Sequence, residues 1–141
     1  MTEREINEVR ELRSEINDLE RKIELMRGAL MNIVPLRNCM PQGHDLDSRV
    51  EKTVVEIGEL EEELLELKER RELAQLNITA NICAANLTGQ EAAVIYSRYV
   101  KCMRFRDICF ELNYSDYHVF RLHKAALKKM LFQSRERQDV S

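Results

Sequence analysis

The side chains best suited to chemistry lie between Arg104 and Lys129, and that chemistry is recognition of a polyanion. Arg121 can offer parallel N–H donors to the paired acceptors on a guanine edge, which a lysine cannot do. Tyr117 and His118 can touch bases or thymine methyl groups. Arg104, Arg106, Lys124, Lys128 and Lys129 can neutralise phosphates, which fixes register without reading sequence. Each also has a plainer role. Arg121 can pair with Asp116 or Glu111 on the surface, Tyr117 and His118 can cover a hairpin or extend a core, and any single lysine can simply be solvated. What counts is their clustering beside one turn.

The elements that must position this cluster are legible from punctuation. Phe105 to Leu112 reads as a short helix with Ile108 and Leu112 on one face. Asn113 follows the last apolar position, where a left-handed residue ends a helix most easily. Ser115 is placed to cap a second helix. Val119, Leu122 and Ala126 would form that helix's buried face, leaving Asp116, Tyr117, His118, Arg121 and Lys124 outward. A short helix, a tight turn and a longer helix with polar and basic groups exposed suit a DNA major groove. An ordinary helical hairpin in an all-α domain shares the same apolar spacing.

Upstream, Leu87-Thr88-Gly-Gln-Glu91 has the form of a capping box and opens a leading helix with Val94, Ile95, Tyr99 and Val100 inward. The N-terminal half differs in kind. Val9, Ile16, Ile23 and Leu30 alternate with Leu12, Leu19, Met26 and Ile33 in a strict seven-residue repeat. A second seam runs through Val50, Thr53, Ile57, Leu60, Leu64 and Leu67 and weakens at Arg71, before Ala74 and Ile78. Pro35, Pro41 and Gly43 predict a loop that stops the first helix, with Asp45 or Ser48 capping the second. Two such helices fold most simply as an antiparallel hairpin. Narrow seams can instead face a second chain, which predicts a homodimer.

The chain is therefore expected to be all-α: a long N-terminal helical hairpin or coiled coil over 1–82, a three-helix domain over 83–132, and a flexible tail over 133–141. With 141 residues, four Gly, two Pro and a third of its residues charged, the composition favours long helices over sheets. The formal charge of −3 hides an asymmetry. Residues 1–77 carry 12 basic and 19 acidic side chains, whereas residues 78–141 carry 10 and 6, together with every aromatic residue. A basic, aromatic-bearing end is one sign of a nucleic-acid-binding module.

No stretch has the apolar length of a membrane span or the core of a signal peptide, so a cytoplasmic protein is expected. Cys39, Cys83, Cys102 and Cys109 lack metal-ligand spacing with one another or with His44, His118 and His123, and are read as buried and reduced. The Glu61–Glu63 run reads as a solvated face. No nucleophilic triad, phosphate-cradling glycine loop or metal motif is present, which predicts neither an enzyme nor a resident metal or cofactor.

Taken together, the run Leu87–Val100, Phe105-x-x-Ile-Cys-x-x-Leu-Asn-Tyr-Ser115 and Val119-x-x-Leu-His-Lys-Ala-Ala-Leu127 is similar to sigma factor region four. It is closer still to phage-encoded transcription activators of the RinA and ArpU type from prophages of Gram-positive bacteria. The resemblance covers roughly residues 40–131, and its most specific parts are Arg98-Tyr99 and the Leu122–Leu127 run. It implies sequence-specific binding of double-stranded DNA at a phage regulatory region in a bacterial host, with RNA polymerase a possible contact. It further implies that Asp116, Tyr117 and Arg121 face bases, with Ser115 and Lys124 near phosphates. Asp116 departs from the usual basic or neutral residue there; it suits DNA only by accepting from a cytosine amino group or by capping its helix. Two other functions fit the same plan: a small terminase-like packaging protein that assembles as a ring, and an adaptor that meets RNA polymerase through the acidic hairpin.

Overall fold

The computed structural model describes residues 1–39 and 44–139, with side chains described for 1–33 and 47–131. It is all-helical, without a strand among the described residues. Its elements are α1 (Glu3–Cys39), α2 (His44–Ala84), α3 (Gly89–Ile95) continuing as a π-helical turn (Tyr96–Val100), α4 (Phe105–Leu112) and α5 (Asp116–Asp139). α1 and α2 span 37 and 41 residues. At about 1.5 Å per residue each exceeds the usual globular helix several-fold. No described helix is long and apolar enough to cross a membrane.

The chain divides into two compact units, one of Met1–Glu11 with Arg71–Ser141 and one of Leu12–Arg70. In the Leu12–Arg70 unit the seam positions Leu12, Ile16, Ile23, Val50, Ile57 and Leu67 are buried within a single chain. Arg27 pairs with Glu61 and Glu20 with Lys68, the latter at 3.3 Å. A step back of one heptad along α1 is thus matched by a step forward of one heptad along α2. These pairs are exposed and contribute little stability; the buried seam holds the helices.

The other unit joins the two chain ends. Thr2 and Glu5 form a reciprocal capping box that starts α1: Thr2 N donates to Glu5 Oε2 at 2.9 Å and Glu5 N to Thr2 Oγ1 at 3.2 Å. Met1, Ile6 and Val9 are buried, as are Ala74 and Ile78 of α2 and Ala85 just beyond its end. The second edge of the Leu12–Arg70 unit falls where the heptad repeat weakens. The small side chains Ala74 and Ala85 with Ile78 keep a packing stripe going after the heptad ends.

Two expectations need correction. α1 does not stop at Pro35 but continues to Cys39. Proline forfeits one backbone bond and strains the preceding turn, yet its own φ is helical, and near a helix end the loss is tolerated. Met40–Gly43 lie outside the described residues, and α2 already begins at His44, so Ser48 sits inside it and not at its cap. At the other end α5 runs to Asp139; Arg, Glu and Gln there are good helix formers.

Candidate nucleic-acid interface

α3, α4 and α5 meet in a core of Val94, Ile108, Val119 and Leu122, flanked by Met103, Phe105, Cys109, Leu112 and Tyr114. Val94, Ile108 and Val119 are fully buried, so each helix contributes one anchoring β-branched side chain. Thr88 caps α3, its Oγ1 accepting from Glu91 N at 3.2 Å. Glu91 does not complete the box. Its carboxylate is buried and binds Lys129 Nζ through both oxygens, at 3.1 and 3.0 Å. Lys129 is therefore committed to α3 and leaves the set of phosphate candidates.

The turn between α4 and α5 takes the form its residues predict. Asn113 is left-handed (φ 58, ψ 42), and Tyr114 N donates to the Cys109 carbonyl at 3.0 Å. Ser115 Oγ accepts from His118 N at 3.2 Å, capping α5. Val119, Leu122, Ala126 and Met130 are buried. Tyr117, Arg121, Lys124 and Lys128 are all exposed. Their steps of four, three and four at about 100° per residue keep them on one narrow stripe, opposite the buried one.

Within that stripe Arg121 does not pair with Asp116 or Glu111. Its guanidinium donates to His118 Nδ1 at 3.2 Å, and the His118 ring stands edge-on to Tyr114, 4.8 Å between centroids. The imidazole, half-buried, thereby connects the turn to the arginine. Arg104, Arg106, Lys124 and Lys128 are exposed and make no ion pair among the described residues. Asp116 lies in the first turn of α5, beside the Cys109 thiol. Burial, and then the hydrogen bond to the Asp116 carboxylate, push that thiol above its ordinary value. Asp116 carries its negative charge at the N-terminus of α5, where the helix dipole favours it.

One cluster is invisible in the sequence pattern. The Arg98 guanidinium lies over the Phe105 ring, 4.2 Å from its centroid, and donates to the Met103 carbonyl at 2.9 Å. Phe105 meets the edge of His123 at 5.0 Å and tilts against Phe120 at 4.9 Å. Tyr99 stacks on His123, with its hydroxyl 2.7 Å from Nε2. Arg98-Tyr99 and His123 belong to the two runs that carried the sequence resemblance, and here they join the π-helical turn to the start of α4 and the middle of α5. Burial, then Arg98 and Arg10, lower the His123 pKa, which favours the neutral ring. Burial raises the Tyr99 pKa. Burial, then Arg10, lowers that of Arg98.

The connection itself is built from unusual backbone. Lys101 N donates to the Tyr96 carbonyl at 3.1 Å, Gln75 Nε2 reaches the Val100 carbonyl at 3.2 Å, and Cys102 has φ 56. Nothing in the residue types signals a left-handed cysteine. The expectation of buried cysteines is corrected as well: Cys83 is exposed, Cys102 and Cys109 are half-buried, and the side chain of Cys39 lies outside the described residues. Comparison with protein families, curated proteins and solved structures finds no match to this chain.

Proposed function

We propose that this protein is a sequence-specific DNA-binding regulator of transcription, of the phage type with a domain like sigma factor region four. In this reading α4, the Asn113 turn and α5 are a helix-turn-helix, with α5 entering the major groove. α1 and α2 form an antiparallel hairpin, a reading supported by the opposite order of their ion pairs.

The observation that carries the proposal is the Tyr117–Arg121–Lys124–Lys128 stripe. It joins an aromatic ring, a forked donor and two point charges along one exposed helix face, with no acidic side chain pairing with any of them among the described residues. Such a face suits both halves of DNA recognition. Arg121 can read a base edge near the helix N-terminus, while Lys124 and Lys128 hold phosphates further along. The His118 contact orients Arg121 before DNA arrives, which lowers the entropy cost of the base contact. Lys129, bound to Glu91, keeps α5 seated on α3 instead of serving the interface.

The test is selection of DNA fragments by the purified full chain, followed by gel shift of the enriched sequence across a salt series. Enrichment of one motif, with affinity falling steeply as salt rises, supports the reading. Absence of both enrichment and salt-sensitive binding rejects it.

A further inference from the structure

The second half of α2 carries an exposed apolar stripe unrelated to the intrachain seam. Leu73 and Leu76 are 68% and 65% exposed, and Ala80 and Cys83 are exposed as well. Their spacing of three, four and three is that of a coiled-coil seam. At about 100° per residue this stripe lies on the side of α2 opposite Ala74 and Ile78, which are buried. α2 is thus apolar on two faces, and among the described residues the Leu73–Cys83 face is left exposed.

The charge pattern selects the missing partner. From Leu73 to Gln90 there is not one Asp, Glu, Lys or Arg, in a protein with a third of its residues charged. Just before it, the exposed positions Glu59, Glu62, Glu66, Glu69 and Glu72 make the same helix strongly acidic. A basic partner or a membrane surface with anionic lipids would discriminate by charge and gains nothing from an uncharged patch. DNA is repelled by the acidic run beside it. A second copy is different. In a two-fold interface each patch meets its own image, so any net charge on it would repel itself. The Leu73–Cys83 face is the part of α2 that can meet its image without that cost, and interface centres are depleted of charge for the same reason.

We infer that the protein self-associates through the Leu73–Leu76–Ala80–Cys83 face of α2. Much of the heptad seam is buried inside one chain, whereas this outer face is exposed and supplies the dimer contact. The stripe is short, which makes the association concentration-dependent. A dimer would bring two copies of the α5 stripe to one DNA, as paired half-sites require; that purpose rests on the proposed function, whereas the association does not.

The experiment is mass in solution of the full chain by sedimentation equilibrium at tens of micromolar, without DNA. Wild type is expected at twice the 16.6 kDa chain mass. Leu76→Glu and, separately, Leu73→Glu are expected at the monomer mass with unchanged helicity. Leu25→Glu, at an isolated site 73% exposed among charged neighbours, keeps the dimer. A monomeric wild type, or both α2 variants folded and still dimeric, overturns the inference. Should a variant lose its helicity, Leu76→Asn replaces it and is read by the same criterion. Gel shift of the same samples separates the two ideas: a wild-type dimer without DNA affinity refutes the regulator and leaves the interface standing. DNA binding by a chain that is monomeric at every concentration does the reverse.

Discussion

Arg121, Lys128 and Asp116 occupy distinct environments, and the proposed function assigns each a different signature. Arg121→Ala removes a forked donor held by His118 and should weaken specific binding by about 1–3 kcal/mol while relaxing preference at one base position. Lys128→Ala should weaken all DNA sequences alike and lower the salt slope by about one. Gel shifts on specific and scrambled duplexes across salt distinguish them; equal, salt-independent losses would reject the assignment. Asp116→Asn removes a negative charge from the first turn of α5 and should strengthen non-specific binding, measured on scrambled duplex. A marked loss on every sequence would mean that the carboxylate acts chiefly by ordering the α5 N-terminus. At this scale the outward set Tyr117, Arg121 and Lys124 was readable from spacing against Val119 and Leu122. The fate of Lys129 was not, because its partner Glu91 lies 38 residues away.

At the scale of elements, the short helices depend on their ends and on one aromatic cluster. Thr88→Ala should cost about 1 kcal/mol by leaving an α3 amide without its cap, seen as a lower melting temperature. Asn113→Val forces a β-branched residue into the left-handed turn and should destabilise by about 1–2 kcal/mol, whereas Asn113→Gly should not. The His123 pKa lies below its ordinary value of 6.5, so the unfolded chain binds the extra proton first as pH falls. Its contribution is complete above about pH 6.5 and is lost as pH drops through the depressed value. Thermal melts from pH 7.5 downward should show this decline, and His123→Gln should flatten that part of it; an unchanged profile would contradict the role given to His123. Caps and turn were legible because Thr88, Asn113 and Ser115 act on backbone within a few residues. The Arg98–Phe105–His123–Tyr99 cluster was not, because it needs the π-helical turn and the left-handed Cys102 to bring distant positions together.

At the scale of the whole molecule, charge and hydrophobic pattern divide the chain by task. The acidic heptad helices bury their seams within one chain, and the basic, aromatic end carries the exposed α5 stripe. The seams could be read directly, since period-seven burial needs only local geometry. The grouping of Met1–Glu11 with Arg71–Ser141 could not, since it depends on which ends of two long helices meet the small ones. Helix through Pro35 escaped for a related reason: a proline rule describes a cost, and neighbours can outweigh it.

Binding of duplex DNA by the outward side of α5, as proposed, is tested most directly by the affinity of the full chain for its selected duplex as a function of salt. The expected result is a linear fall of log affinity with log salt, with a slope set by the phosphates neutralised, and loss of the preference for the selected over a scrambled duplex in Arg121→Ala. Binding that ignores salt, or a variant that discriminates as well as wild type, would contradict it.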